Sequence, residues 1–244
     1  MIQYVHVLRK NTLLCTTILI LVIHTNCFAG EDHFFGQFDT IFLNGKFRKD
    51  SPWLWYGEAS LRSAEYPKSF NRSGYDIGSV VARVGFGYQI DQMNSIMVGY
   101  AYQYSQPPLA KKDVNENRAW QQYLNVLDFK ENGKLQNRIR FEQRELEGGY
   151  GTALRFRHQL KYSYPLDKDW GFVVSNEVFI NCNTVGWGPV AGFDQNRFFI
   201  GPLYQFTPDI RAEVGYQNVF INKDLVDDLM IHGVNMSLYI NVPN

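Results

Sequence analysis

The amino-acid sequence predicts an all-β protein, a closed antiparallel transmembrane β-barrel of about twelve strands, with ten as the fallback, behind an N-terminal signal peptide. Three observations support this. Segments of roughly ten residues alternate polar and apolar side chains. Short and long connections alternate between these segments. Aromatic residues make up 16% of the chain and gather near segment ends. Strands of this length can cross a bilayer at a tilt.

The N-terminus has the pattern of a signal peptide. A basic pair at 9–10 precedes an apolar run at 13–23, and a small-residue cleavage pattern ends at Ala29. The apolar run is shorter than the roughly 20 residues of a membrane helix, which argues against an anchor. We therefore expect residues 1–29 to be a cleaved signal peptide and 30–244 to form a single β-barrel domain in the outer membrane.

Composition narrows the function classes. Lys plus Arg and Asp plus Glu both number 24, and this balance argues against a nucleic-acid partner. Of the three cysteines, only Cys182 lies beyond the predicted cleavage site, which leaves no internal disulfide and no cysteine-based metal site. No motif predicts a metal or another cofactor.

The segment at 135–147 shows the alternation most clearly. Arg138, Arg140, Glu142 and Arg144 occupy every second position, so a strand would place all four on one face. The same alternation recurs at 53–63, 76–90, 95–105, 153–163, 170–181, 195–206 and 210–220, and more weakly at 33–43, 117–129 and 230–242. These are eleven segments, and we prefer twelve strands because closed bacterial barrels have an even number. A soluble sandwich would alternate in the same way with its charges outside.

Connections and aromatic residues favour the barrel over the sandwich. Short connections lie at 91–94, 130–134, 165–169 and 207–209, and longer ones at 64–75, 106–116, 182–193 and 222–229. Outer-membrane barrels have tight turns on one side and longer loops on the other. The aromatic residues near strand ends would form interfacial girdles: Trp53, Trp55, Tyr56, Tyr104, Trp120, Tyr123, Tyr162, Tyr164, Trp170, Tyr204 and Phe206.

Several motifs resemble a known family. They are GEASLR, VGYAYQY, NENRAWQQYL, RIRFEQRE, LRFRHQLKYSYPL, NEVFIN, FDQNRFFIGPLYQF and VGYQNVF, in this order. Their order and spacing are similar to those of the Gram-negative envelope family catalogued as domain of unknown function 2490. The resemblance covers nearly all of the mature chain. It implies an outer-membrane-type barrel, and it implies neither an activity nor any catalytic residue.

The charged face of the strands is expected to line the lumen. Its basic residues are Arg62, Arg83, Arg138, Arg140, Arg144, Arg155, Arg157, Lys161, Arg197 and Arg211, and its acidic residues are Glu58, Glu142, Glu177 and Glu213. Two interpretations remain open. The basic residues could form a pore lining that favours anions, or cross-strand Arg–Glu pairs could fill and stiffen a small barrel. Because four glutamates cannot pair all ten basic groups, the sequence predicts a net basic lumen.

These observations favour a porin-like barrel that passes small anionic solutes. Its expected partners are outer-membrane lipid, the periplasmic chaperones and the barrel-assembly machinery. One alternative is a lipid-modifying enzyme with His158 or His232 as general base and Ser163 or Ser237 as nucleophile, although no spaced Ser/His motif selects them as catalytic. Further alternatives are a structural or surface-interaction barrel and a soluble β-rich binding protein.

Overall fold

The computed structural model describes residues 31–223 and 228–243. The predicted signal peptide at 1–29 lies outside these residues. Within them the chain forms eleven strands: β1 (Glu31–Lys46), β2 (Trp53–Glu65), β3 (Tyr75–Gln89), β4 (Asn94–Ser105), β5 (Val114–Asp128), β6 (Lys134–Leu146), β7 (Ala153–Pro165), β8 (Trp170–Asn181), β9 (Gly192–Thr207), β10 (Ile210–Ile221) and β11 (Asp228–Val242). Single 3-10 turns lie at Lys68–Phe70 and Lys130–Asn132. Neither turn is long or apolar enough to cross a bilayer as a helix.

The strands form a closed barrel, as the sequence predicts. Each strand pairs antiparallel with the next, from β1–β2 through β10–β11, and β11 closes on β1. Every one of the eleven alternating segments coincides with a strand, whereas a twelfth strand is not found in the described part of the chain. Ten consecutive reversals leave β1 and β11 running in the same direction. The expectation of an even number assumed an antiparallel closure, and here the closing pair is parallel.

Glycines allow the parallel seam to form. Gly36 of β1 and Gly233 of β11 face each other with no space for a side chain. A Cβ atom on Gly233 would overlap the carbonyl oxygen of Gly36, and a Cβ atom on Gly36 would lie 2.7 Å from Cγ2 of Ile231. Backbones that approach this closely require residues without a side chain.

The two ends of the barrel differ in their connections. At one end, which we call the short-turn end, the strands are joined by residues 47–52, 90–93, 129–133, 166–169 and 208–209. At the other, the long-connection end, they are joined by 66–74, 106–113, 147–152, 182–191 and 222–227. The eight predicted connections lie at the expected ends, whereas 47–52 and 147–152, at opposite ends, are both six residues long.

Aspartates close two of the tight turns. Oδ1 of Asp91 accepts hydrogen bonds from the backbone N–H groups of Met93 and Asn94 at 2.7 and 2.8 Å, and from the Asn94 side chain. Oδ1 of Asp167 accepts a hydrogen bond from the Trp170 backbone N–H at 2.7 Å. The Asn94 side chain and the turn N–H groups lower the pKa of Asp91, since they stabilise its ionised form.

The burial pattern is the reverse of that in a water-soluble protein. Val84 and Phe86 point outward and are 61% and 53% exposed. Arg140 and Glu142 point inward and are 1% and 0% exposed. On the strands that carry the charged face, apolar side chains form the outer surface and charged side chains point into the interior, where they lie beside buried apolar residues such as Met97 and Phe199.

Exposed aromatic rings form two belts on the outer surface. The belt near the short-turn end includes Trp53, Tyr88, Tyr164, Trp170 and Phe206, and the belt near the long-connection end includes Phe35, Tyr75 and Tyr102. Rings within the belts contact each other, as Trp53 and Tyr88 do with centroids 5.1 Å apart. Aliphatic side chains such as Val84, Val98 and Val214 lie between the belts.

Two of the residues expected in a girdle point inward instead. Trp120 is fully buried inside the barrel, and Tyr56 packs against it with ring centroids 5.9 Å apart. Gly85 and Gly99 provide the space for the indole, because a Cβ atom on either would lie 2.5 Å from its ring. The parity of Trp120 with Arg118 on the inner face was the stronger signal. The predicted segment at 117–129 placed Trp120 near a strand end, whereas β5 begins at Val114 and holds it near its middle.

We predict that Gly233→Ala destabilises the barrel by at least about 2 kcal/mol, because the new methyl group forces the seam apart. The midpoint of urea unfolding in detergent measures this change. Gly186→Ala is the matched control, because Gly186 has open space around it and an ordinary backbone conformation. Equal unfolding midpoints for the two variants would show that the seam tolerates a side chain.

Candidate functional site

The charged residues predicted to line the lumen all lie in the interior of the barrel. Eleven of the fourteen line a cavity of about 410 Å³: Glu58, Arg62, Arg83, Arg138, Arg140, Arg157, Lys161, Glu177, Arg197, Arg211 and Glu213. The other three, Glu142, Arg144 and Arg155, are buried nearer the long-connection end. The strand period of two is sufficient to bring these residues together, because the seven strands that carry them, β2, β3 and β6–β10, turn the same face to a shared interior.

Sequence reasoning missed two members of this set, Glu116 and Arg118 on β5. Oε1 of Glu116 accepts hydrogen bonds from Nε of Arg118 and from Nε of Arg144, both at 2.6 Å. The signal was present in the motif NENRAWQQ, where Glu116 and Arg118 alternate with outward-facing residues. With this pair included, the interior holds eleven basic and five glutamate side chains.

Glu142 lies at the centre of the buried ion pairs. Its Oε2 atom accepts hydrogen bonds from Nη2 and Nε of Arg155 at 2.6 and 3.0 Å, and its Oε1 atom accepts one from Nη1 of Arg157 at 2.7 Å. Nη2 of Arg83 lies 3.9 Å from Oε1. A carboxylate removed from water in this way is stable only because several guanidinium groups surround it.

Arg157 extends the network to β8. Its Nε and Nη2 atoms both lie 2.9 Å from Oε1 of Glu177, which also accepts a hydrogen bond from Nη2 of Arg138 at 2.7 Å. On the other side, Arg83 pairs with Glu58. The ion pairs therefore run continuously from β2 to β8 and tie together strands that are distant in the sequence.

A second cluster lies nearer the short-turn end. Nζ of Lys161 on β7 donates to both carboxylate oxygens of Glu213 on β10 at 2.6 Å and to the hydroxyl oxygen of Tyr239 at 2.9 Å. The Tyr239 hydroxyl donates to Glu213 at 3.2 Å. This cluster bypasses β8 and β9, so it reaches across part of the interior.

Three interior arginines have no carboxylate within ion-pair distance in the described residues: Arg62, Arg140 and Arg197. Arg140 donates to Oε1 of Gln122 at 2.6 and 3.0 Å and lies over the Trp120 ring. Arg197 donates to Oε1 of Gln195 at 2.9 Å and lies over the Phe179 ring. The two interpretations of the charged face are thus compatible, since most charges are paired and a basic surplus remains.

The cavity is open on the side where the inner face carries small residues. Thr40, Ser60 and Ser237 line it on β1, β2 and β11, across the barrel from the large arginines of β6 and β7. Gly215 belongs to the same region, and a Cβ atom there would lie 2.6 Å from Cα of Gly201. The asymmetry between small and large inward side chains leaves a void that a uniform lining would fill.

Apolar packing closes the barrel near the long-connection end. Phe34, Phe38, Ala64, Val219 and Ile231 form a buried cluster, and Leu109 from the 106–113 connection packs against it. This cluster fills the interior on the side of β1, β2, β10 and β11, and Phe38 and Val219 also line the cavity. At its other end the cavity lining includes Asn44, Gln136 and Asn241, close to the short-turn end.

The histidines and serines of the enzyme alternative lie on opposite faces of the barrel wall. His158 faces outward and its Nε2 atom lies 2.8 Å from Oδ1 of Asn137. His232 faces outward between His33 and Tyr216, at 3.0 and 2.7 Å. Ser237 is buried and lines the cavity. Ser163 shares the inward parity of Lys161, so neither serine hydroxyl can donate a hydrogen bond to the histidine on its strand, as a general base would require.

Comparison with known proteins identifies the family. The model of a family described as protein of unknown function (DUF2490) matches residues 35–229, which is most of the barrel. The chain belongs to this family. It is also similar to an uncharacterised protein of Methylorubrum extorquens, with 28% identity over 167 residues that cover 67% of this chain and 73% of that protein. The region matched by the family model, residues 35–229, contains the whole ion-pair network and all the cavity-lining basic residues.

We predict that Glu142→Gln destabilises the barrel by about 3–5 kcal/mol, because it leaves Arg155 and Arg157 buried with one fewer counter-charge. The unfolding midpoint in urea, measured in detergent, reports this loss. Asp128→Asn is the matched control, because it breaks an exposed ion pair with Lys134. The side chains of Asp128 and Lys134 are 51% and 58% accessible, so we expect a loss of less than about 1 kcal/mol. If both substitutions cost the same, the buried network does not stabilise the fold.

Proposed function

We propose that this protein spans the outer membrane and that its basic interior takes up small anionic solutes from the short-turn end. The cavity carries this proposal: eight basic and three acidic side chains line it, an excess of five positive charges. Rings of arginine and lysine in a barrel interior bias it towards anions.

The outer surface supports placement in a lipid bilayer. On β3, Tyr75 in one aromatic belt and Tyr88 in the other are thirteen residues apart. At a rise of about 3.3 Å per residue and a tilt of about 40°, this separation gives a height of about 33 Å. That height matches a hydrocarbon core of about 30 Å bounded by interfacial aromatic rings.

Polar groups on the outer surface also suit a lipid surrounding, because they satisfy each other. The side-chain amides of Gln121 and Gln143 exchange hydrogen bonds at 3.1 and 3.0 Å. Nδ2 of Asn196 donates to Oδ1 of Asn176 at 2.8 Å. A polar group exposed to hydrocarbon without a partner costs several kcal/mol, whereas water would make such pairing unnecessary.

The packed long-connection end gives the proposed passage a gate. A solute that enters from the short-turn end meets the cluster around Phe38 and Ile231 and the Leu109 side chain above it. Complete passage requires the 106–113 connection to move. We therefore expect the resting barrel to bind anions and to conduct them at low rates.

The membrane placement is tested by fractionation of cells that express the full chain. We expect the protein in outer-membrane fractions, with a migration in electrophoresis that changes when the sample is heated, because a closed barrel resists detergent until it unfolds. Recovery of the folded protein from the soluble periplasmic fraction contradicts the proposal.

Anion preference is tested in planar bilayers with the purified barrel and a salt gradient. We expect the reversal potential to shift towards the equilibrium potential of chloride, since the interior has surplus positive charge. Removal of the surplus by Arg62→Gln with Arg197→Gln moves the reversal potential towards zero, whereas Arg48→Gln in the turn at 47–52 leaves it unchanged. A cation-selective or non-conducting wild-type protein would refute passage of anions.

A further inference from the structure

We propose that the cavity is a binding site for a sugar acid, a hydroxylated organic anion whose charged group is held by Arg62 and Arg197. This inference rests on the proposed function, and it adds the chemical class of the solute and the two residues that recognise its charge. Four features of the cavity support it: unpaired guanidinium groups, free amides, stacked aromatic rings and a suitable size.

The first feature is the pair of arginines on β2 and β9. Arg62 lines the cavity and makes no hydrogen bond or ion pair with another described residue, and Arg197 bonds only to the neutral Gln195. Both side chains line the same cavity. Two cations in a confined interior are unfavourable without a counter-charge. A carboxylate or phosphate between them supplies that charge and can accept two parallel hydrogen bonds from a guanidinium group.

The second feature is a set of polar side chains with no internal partner. Gln136, Gln159 and Ser175 line the cavity, and none of their side chains hydrogen-bonds to another described residue. The Thr40 and Ser60 hydroxyls, 2.9 Å apart, lie in the same lining. Amides and hydroxyls both donate and accept, which is what sugar hydroxyl groups require. A simple inorganic anion has too few hydrogen-bond donors to satisfy these acceptor groups.

The third feature is the aromatic part of the lining. Phe42 and Tyr239 stack with ring centroids 4.6 Å apart, and Tyr56 lies beside Phe42 at 6.5 Å. All three line the cavity. The C–H face of a sugar ring is apolar and packs on such rings, while its hydroxyl groups point to the amides.

The size of the cavity suits one or two sugar rings. Its volume of about 410 Å³ lies near the lower limit for small-molecule sites, which run from about 300 to 1,000 Å³. Longer chains would have to extend past Asn44 and Asn241 at the short-turn end.

Calorimetric titration of the purified, folded full-length barrel in detergent tests the inference. We expect glucuronate to bind, with glucose and acetate at least tenfold weaker, because glucose lacks the charge and acetate lacks the hydroxyl groups. Glucose 6-phosphate shows whether phosphate replaces carboxylate. Equal affinity for acetate and glucuronate, or none for either sugar anion, overturns the proposal.

Three variants locate the site. Arg62→Gln and Arg197→Gln each weaken glucuronate binding roughly tenfold to a hundredfold, as expected when a charge-assisted hydrogen bond is lost. Gln159→Leu weakens glucuronate binding and leaves acetate binding unchanged. Arg48→Gln, in the turn at 47–52, is the control. Neither Arg62 nor Arg197 pairs with a carboxylate of the described chain, so these variants should keep heat-modifiable migration, which verifies that they fold. Unchanged affinity in both arginine variants overturns the assignment.

The outcome for the site can be separated from the outcome for the proposed function. A reversal potential shifted towards that of chloride, without glucuronate binding, leaves the anion-selective barrel standing and removes the sugar-acid site. Loss of both results removes both proposals.

Discussion

The buried ion pairs around Glu142 are the constraint on which the rest of the barrel depends. Once the apolar faces of the strands point outward, the interior has to be built from polar groups that water cannot fully reach. Glu142, Glu177 and Glu116 each hold at least two arginines, and Arg157 joins two of these groups. Buried ion pairs stabilise the folded state little more than a well-packed hydrophobic core would, but removal of one partner is strongly destabilising. The network therefore fixes which strands are neighbours more than it adds net stability.

The same network explains why the interior has a cavity on one side. Arginines on β6 and β7 are long, and their glutamate partners hold them against the wall. The facing strands carry serine, threonine and glycine, which cannot fill the remaining space. The unpaired Arg62 and Arg197 lie at this cavity, because no carboxylate on their own strands pairs with them. Packing and charge thus concentrate the unpaired cations around the cavity.

Much of this architecture follows from the sequence, because the period of two survives in every strand. All eleven segments, the order of short and long connections and the inward parity of Arg138, Arg140 and Glu142 could be predicted. The parallel seam could not, since the space between Gly36 and Gly233 depends on two strands almost 200 positions apart. Trp120 was misplaced because the predicted strand began three residues too late, at 117, which put the tryptophan near an end where it fits a girdle as well as a core. Which arginines stay unpaired also depends on three-dimensional distances that alternation does not encode.

The parallel seam has a topological consequence. β1 begins at the long-connection end, and β11 finishes at the short-turn end. In a membrane, these two points would face different compartments. A barrel with an even number of hairpin-linked strands can keep both ends of its strand set on the side from which it inserts. Its first and last strands then pair antiparallel without either end crossing the membrane. Here one end of the strand set would have to cross the bilayer before Gly36 and Gly233 could meet, so translocation of that end would precede closure of the barrel.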